Sequence, residues 1–204
     1  MATKAVKSET VKLNPIRIYT MELTITGISP YVQHNWSEKA LQQMRDKHAG
    51  RKTRTREVRN IEEETESAMY RTDDGKYAIP ITALKSSWVG AAHKDIGIEK
   101  TLVKKGLFIR PYDGSGCLPM DCRTPECWEA YVRVGMGSTD LRYRPRYTEW
   151  KLRFLVDYDA DLLQPSDIVN LINRAGFGVG IGEWRPERGG EYGRYEVLTG
   201  ESNE

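Results

Sequence analysis

Residues 150–158 read WKLRFLVDY, and this stretch decides the fold class. Large apolar side chains at every second position, from Trp150 to Val156, alternate with mostly polar ones, which is the period of a half-buried strand. A helix is predicted to follow, with Ser166 as its N-cap and Gly176 as its end. Apolar residues recur along one side of this segment, so the helix has a face to pack against the strand.

Outward from this pair, the sequence predicts further elements of the same two kinds. They are a strand over 16–25, a strand Tyr77–Ile79, a helix Ala83–His93 capped by Thr82, a strand Thr101–Arg110, a short strand Tyr131–Val134 and a final strand Tyr192–Leu198. The main sequence of strand, helix, strand, strand, helix, strand is that of a ferredoxin-like or RRM-like α+β fold. We therefore predict an antiparallel sheet with helices on one face.

The length of 204 residues fits one domain. At 39% hydrophobic and 29% charged residues the chain is polar for a globular protein, so part of it is expected to lie outside the packed core. We predict a disordered lead-in over 1–14, a single domain over 15–199 and a tail over 200–204. Within the domain, a mobile insertion is predicted around 45–70 and a loop over 111–128.

The insertion concentrates charge that the net value of +2 conceals. Seven Lys or Arg residues fall between Arg45 and Arg59, and four glutamates follow between Glu62 and Glu66. With so few apolar residues, this segment is predicted to be a mobile excursion or an exposed helix. It is either a nucleic-acid arm ordered on binding, or a basic run that pairs loosely with the glutamates. The arm would bind through Arg51, Lys52, Arg54 and Arg56.

A second basic region combines arginine with aromatic residues. Arg142, Arg144 and Arg146 alternate, so in an extended segment they point to one side, and Tyr143 and Tyr147 lie beside them in the sequence. Phosphate neutralisation by arginine together with stacking on aromatic rings is typical of single-strand binding. The alternative is a solvated edge strand whose charges protect it from aggregation.

A third region, 176–195, reads GFGVGIGEWRPERGGEYGRY. It follows a helix and lacks a G-K-S/T ending, which excludes a P-loop and a dinucleotide-binding turn. Glycine permits close approach of another chain, arginine binds phosphate and tryptophan stacks on bases. We predict strand binding by Trp184, Arg185, Arg188 and Arg194. The alternative is a flexible hairpin with a solvated, charged tip.

Residues 77–92, YAIPITALKSSWVGAA, resemble the strand-to-helix signature of the RAMP superfamily, the RRM-like subunits of CRISPR effector complexes. The glycine-rich region 176–195 is similar to the loop that closes that fold, and 27–30 is similar to its opening turn. These matching stretches are short, but they are distributed over most of residues 16–198. The resemblance implies a backbone subunit that self-associates along a strand, together with other effector subunits. Lys85 lies at the start of the helix after Ile-Pro and is predicted to contact phosphate; the alternative is an ordinary surface lysine.

The chain departs from the family pattern at two places. The small-residue turn after Ile-Pro is Ile81-Thr82-Ala83 here. Some family members cut RNA with an aspartate in the loop after the first strand, whereas the matching loop, 31–37, has no aspartate and carries His34. The resemblance therefore implies strand binding without cleavage.

Other site types have weaker support. Cys117, Cys122 and Cys127 have four residues between neighbours, whereas structural zinc favours Cys-x-x-Cys pairs and four ligands, so we predict no metal. Alternating aspartates at the end of the strong strand support a metal-dependent nuclease as a minor alternative. They are Asp157, Asp159 and Asp161. We predict a protein that is not an enzyme and has no cofactor.

The sequence thus predicts a partner rather than a reaction. The first hypothesis is a self-associating protein that coats single-stranded RNA or DNA, and the second is a structural or virion-type assembly protein. No run of residues approaches the length of a membrane span, and 1–13 lack the apolar core of a secretory signal. A cytoplasmic location with cysteines as free thiols is therefore predicted.

Overall fold

The computed structural model describes residues 15–36, 38–51, 60–134 and 137–198. In chain order the strands are β1 Ile18–Gly27, β2 Tyr31–Val32, β3 Ala78–Pro80, β4 Leu107–Ile109, β5 Cys117–Pro119, β6 Asp121–Cys122, β7 Glu126–Val134, β8 Ser138–Tyr147, β9 Trp150–Asp159 and β10 Tyr195–Val197. The helices are α1 Glu38–His48, α2 Ile61–Ser67, α3 Ile81–Ala91, α4 Lys100–Gly106 and α5 Pro165–Gly178. None of the helices in these ranges is long and apolar enough to cross a membrane.

The main sheet has the strand order β10–β1–β9–β4. β1 and β9 pair antiparallel from Ile18 opposite Asp159 to Thr26 opposite Lys151, and the outer strands pair antiparallel with them. α3 connects β1 to β4, and α5 connects β9 to β10, so sequence order and spatial order are those of a ferredoxin-like fold. The predicted α+β class and its antiparallel sheet are confirmed.

One face of this sheet forms the core with α3 and α5. Burial alternates along β9 as its sequence predicts, with Trp150, Leu152, Phe154 and Val156 all buried. The indole of Trp88 in α3 is fully buried and its ring lies 6.0 Å from the Phe154 ring. Full burial of one such side chain stabilises the fold by about 1.5–3 kcal/mol.

The opposite face, which we call the open sheet face, pairs its own charges. The Arg153 guanidinium donates to both carboxylate oxygens of Glu22 across the sheet, at 2.6 and 3.0 Å. Arg110 donates to Asp157 at 2.7 Å and to the Thr20 hydroxyl at 2.9 Å. Both arginines therefore have a carboxylate partner on the same face.

β2, β8 and β7 form a separate three-stranded sheet. β7 and β8 make an antiparallel hairpin, with Glu126 opposite Arg146 at one end and Val134 opposite Ser138 at the other. α2 contacts one face of the hairpin, where the Thr65 hydroxyl lies 3.2 Å from Cys127 Sγ. The other face is therefore available to side chains from elsewhere in the fold.

The segment predicted as a strand over Thr101–Arg110 is instead α4 followed by the three-residue β4. Val103, Gly106 and Leu107 are buried, a spacing of three to four residues that fits a helix better than a strand. The prediction is wrong over 101–106 because two very short elements adjoin, and neither is long enough to show its period.

The segment 111–128, predicted as a loop, contains β5, β6 and the start of β7. β5 pairs with β3, and β6 pairs with the Trp150 end of β9. Strands of two or three residues are too short to show alternation. The Gly, Pro and Asp residues in and around them therefore suggested a loop. All three cysteines lie in these strands as free thiols.

Two helix boundaries differ from their predicted positions. α3 has Pro80 at its N-cap, which places Thr82 inside the first turn. α5 has Gln164 at its N-cap instead of Ser166, and the Gln164 amide donates to the Asp167 carboxylate at 3.2 Å. This acidic residue in the first turn replaces the predicted serine cap, and the helix continues two residues beyond Gly176.

The predicted insertion around 45–70 includes the end of α1 and all of α2. The Asn60 side chain accepts from the Glu62 amide at 3.1 Å and begins α2. Lys52, Arg54 and Arg56 lie outside the described residues, as do the predicted lead-in over 1–14 and the tail over 200–204. The predicted mobility of the insertion stays a prediction.

Candidate nucleic-acid interface

Arg142, Arg144 and Arg146 point to one face of β8, as their alternation predicts. On the adjacent strand β7 they are opposite Ala130, Trp128 and Glu126 respectively. Arg144 is only 6% exposed, so the alternative of a solvated edge strand is wrong for this residue.

The glycine-rich segment packs onto the same face of the hairpin. The rings of Trp184 and Tyr192 meet the Trp128 ring edge to face, at centroid distances of 6.4 and 5.5 Å. Since Trp128 is opposite Arg144, the two regions that the sequence singled out separately are adjacent in the fold. We call this set the arginine surface: Trp128, Arg142, Arg144, Arg146, Trp184 and Tyr192.

The glycine-rich segment is built into the fold by backbone contacts. The Ile181 amide donates to the Gly193 carbonyl at 3.0 Å, and the Gly193 amide donates to the Pro30 carbonyl at 2.7 Å. At Gly182 and Gly193 φ is positive, and a Cβ would collide with the Val32 or Ile181 carbonyl. The alternative of a flexible hairpin with a solvated tip does not describe this packed segment.

Trp184 has a left-handed backbone conformation, with φ of +57°. Bulky residues seldom adopt this conformation, and such strained residues cluster at binding sites and clamps. The neighbouring Gly190 makes it possible, because a Cβ there would overlap the Trp184 carbonyl. The strained turn holds the indole against Trp128 while leaving it 45% exposed.

Each of the three arginines faces a carboxylate. The distance is 2.9 Å from Arg142 Nη2 to Asp140 and 2.7 Å from Arg146 Nη2 to Glu126. The side chains of Arg142 and Arg146 are 37% and 30% exposed. Arg144 Nε lies 3.4 Å from Glu183 Oε2, and neither atom forms a hydrogen bond within the described residues. The surface thus has two accessible cations around the buried Arg144 and its half-buried partner Glu183.

Glu183 also contacts His34, whose Nδ1 lies 2.7 Å from Glu183 Oε1. Burial raises the pKa of Glu183, but the hydrogen bond with His34 and the charge of Arg144 lower it more, so its pKa is below the ordinary value. The His34 ring lies 5.5 Å from the Trp36 ring. Sequence reasoning noticed His34 but missed Glu183, because their contact joins two distant loops.

The two tyrosines between the arginines lie on the other face of β8, as strand alternation requires. Tyr147 is 1% exposed, stacks on Tyr31 at 5.8 Å and contacts Gln33 through its hydroxyl. Tyr143 is opposite Glu129. Tyr147 is therefore buried away from the arginine surface, whose rings are Trp128, Trp184 and Tyr192. The predicted stacking of Tyr143 on bases stays a prediction.

Lys85 has a structural role in α3. Its Nζ donates to the Val103 carbonyl at 2.6 Å and to the Leu107 carbonyl, and it lies 4.9 Å from the Phe108 ring centroid. Burial lowers the pKa of Lys85 to about 8. These contacts fasten the end of α4 to α3, so we leave Lys85 out of the arginine surface.

The other predicted cations lie in different surroundings. Arg185 pairs with Glu187 at 2.8 Å and donates to the Gly182 carbonyl at 3.1 Å, which braces the glycine-rich segment. Arg194 lies 5.3 Å from the Phe177 ring centroid, and Arg188 is exposed. Arg51 lies 3.4 Å from Asp46 at the end of α1. Their nucleic-acid contacts stay predictions.

The candidate metal ligands are not brought together in the described part of the chain. Asp157 pairs with Arg110, and Asp161 pairs with Arg17. Cys127 contacts Thr65, and burial raises the pKa of Cys122 to about 11. Among these residues no group of three His, Cys, Asp or Glu side chains could hold an ion.

Comparison with known proteins gives likeness to solved structures alone. No family model and no curated protein matches the sequence. The crystal structure of Cmr6 from Pyrococcus furiosus superposes with a TM-score of 0.43 and 10% sequence identity, covering 90% of this chain and 100% of that chain. This overlap carries no argument about function, and the fold assignment here rests on the strand order.

Proposed function

We propose that this protein binds single-stranded nucleic acid across the arginine surface, without cleaving it. One observation supports this above all: two segments about forty residues apart place three arginines and three large aromatic rings on one face of the hairpin. Cations for phosphates beside rings for bases are the two components of single-strand recognition.

Two arginines are suited to exchange their carboxylate partners for phosphates. Exposed ion pairs contribute only about 0–1 kcal/mol, so the linked phosphates of a strand can replace the carboxylates at Arg142 and Arg146. Arg144 differs because its partner Glu183 is also held by His34. We infer that Arg142 and Arg146 contact the strand while Arg144 anchors the surface.

Trp184 is the ring best placed to stack on a base. Its indole is 45% exposed and is held from one side by Trp128. Stacking of one base on an aromatic side chain contributes about 1–3 kcal/mol and tolerates any base. The proposed binding is therefore independent of base sequence.

The same proposal includes self-association along the strand, other effector-type subunits as partners, and a cytoplasmic location. Each bound copy would cover a few nucleotides, as single-strand binding modules do. RNA and DNA are both candidates, because the surface groups named here recognise phosphate and base rings, which the two share.

The test is fluorescence anisotropy with labelled single-stranded RNA, single-stranded DNA and duplex DNA over a range of salt concentrations. We expect the wild type to bind a single strand with an affinity that falls steeply with salt, because phosphate neutralisation releases counterions. In Arg142→Ala/Arg146→Ala, the slope of log affinity against log salt should become shallower by about 1.4, at about 0.7 per lost phosphate contact.

A matched control keeps the overall charge change the same. Arg17→Ala/Arg153→Ala also removes two exposed arginines that pair with carboxylates, but outside the arginine surface. An equal loss of single-strand affinity in both double variants would mean that the strand binds outside the arginine surface. Absence of binding by the wild type would overturn the proposal and favour an assembly protein, and shortening of the labelled strand on a gel would contradict binding without cleavage.

A further inference from the structure

His34 lies at the border of the arginine surface and its position is fixed by a short contact. Its Nδ1 is 2.7 Å from Glu183 Oε1, and its side chain remains 32% exposed. The imidazole belongs to the loop after β2, whereas Glu183 belongs to the glycine-rich segment. The contact therefore depends on the folded arrangement of both segments, which the Glu183 amide reinforces by donating to the Val32 carbonyl at 3.0 Å.

Glu183 is shared between two basic groups. One carboxylate oxygen faces His34, and the other faces the buried Arg144 at 3.4 Å. The remaining charges of the face come in pairs, Arg142 with Asp140 and Arg146 with Glu126. With neutral His34 these groups sum to zero, and with protonated His34 they sum to +1.

We propose that His34 is a proton-dependent member of the strand-binding site, so that binding of a phosphate backbone is coupled to uptake of one proton at its imidazole. This inference rests on the proposed function and adds a residue and a linkage to it. Imidazole is the side chain whose ordinary charge change falls between about pH 5 and 8, so pH is the variable that tests this linkage.

The direction of the effect follows from the charges. Protonated His34 adds a positive charge to a face that contacts phosphates, so affinity should rise as pH falls. Glu183 supports this switch because its pKa is lowered, by the hydrogen bond with His34 and the charge of Arg144, despite the opposing effect of burial. The carboxylate thus stays charged and holds the imidazolium in place.

The experiment measures the salt dependence of single-strand affinity at about pH 5.5 and about pH 7.5. For the wild type we expect a slope about 0.7 steeper at the lower pH, the value for one additional phosphate charge neutralised on a single strand. Affinity at fixed salt should rise about two- to fivefold.

Two variants fix the charge at this position. His34→Gln should bind with the same salt slope at both pH values, like the wild type at the higher pH. His34→Lys should also lose the pH effect, but should bind like the wild type at the lower pH. His48→Gln and His93→Gln are controls for the other two histidines, and both should keep the wild-type pH effect.

The outcomes separate this inference from the proposed function. A wild type that binds no strand at either pH contradicts the proposed function itself. A wild type that binds through Arg142 and Arg146 but keeps its full pH effect in His34→Gln contradicts only the role of His34. Circular dichroism of each variant at both pH values verifies that the comparison is made between folded proteins.

Discussion

The open sheet face and the arginine surface contain similar charged residues in different settings. On the open sheet face, Arg153 donates to Glu22 through two nitrogens, and Arg110 donates through Nε to both Asp157 oxygens and through Nη2 to the Thr20 hydroxyl. On the arginine surface, Arg142 and Arg146 each meet a carboxylate through one nitrogen, next to three packed aromatic rings. The difference indicates that the number of arginines on a surface says less about strand binding than the contacts of each guanidinium and the rings around it.

The largest effect should come from breaking the segment that brings rings to the arginines. In Gly193→Ala the new Cβ would overlap the Ile181 carbonyl at a positive φ. We expect a loss of unfolding free energy well above the roughly 1–2 kcal/mol for a left-handed alanine alone. Thermal or urea unfolding measures it, and strand binding should weaken in parallel.

Gly189 is the matched control, since its φ is also positive but a Cβ there meets no atom within 4 Å. Gly189→Ala should show only the smaller conformational cost. If both variants lose the same stability, the close approach at Gly193 is not what holds the segment in place.

A smaller effect is expected from removing the exposed ring. Trp184→Ala should weaken single-strand affinity by about 1–3 kcal/mol, the contribution of one stacked base, and leave the salt slope unchanged. This pattern is the reverse of that expected for the two arginines, which change the slope. A changed slope in Trp184→Ala would mean that the ring acts through the arginines and not on a base.

The smallest effect should come from the open sheet face. Glu22→Gln releases Arg153 but lies outside the arginine surface, and solvent screens its charge over about 8–10 Å. We expect strand affinity to change by less than about twofold at physiological salt. A clear increase in affinity on freeing Arg153 would indicate that the open sheet face binds the strand instead.

The fold was predictable where an element shows a clear period in the sequence, but only in part for β7, of which Tyr131–Val134 alone was predicted. β9 alternates over ten residues, and its buried positions agree with the sequence pattern. α4 and β4 occupy seven and three residues, and neither shows a period, so Thr101–Arg110 was assigned wrongly. Short elements are fixed by their neighbours, which a single sequence does not reveal.

The candidate site was predictable in its cations and less so in its rings. Alternation correctly placed three arginines on one face of β8, and the same period places Tyr143 and Tyr147 on the other. Trp128 joins the arginines through strand pairing, and Glu183 joins His34 through loop packing. Such contacts between distant segments leave no local pattern, so only the folded chain shows them.

The carboxylates that mask Arg142 and Arg146 have a consequence for which anions the surface admits. A single phosphate must displace Asp140 or Glu126 unaided, whereas a strand presents a second phosphate as soon as the first is bound, at high effective concentration. In the proposed binding mode the carboxylates therefore favour long ligands over short ones. Free phosphate and mononucleotides should bind weakly, and affinity should rise sharply once an oligonucleotide reaches both arginines at once.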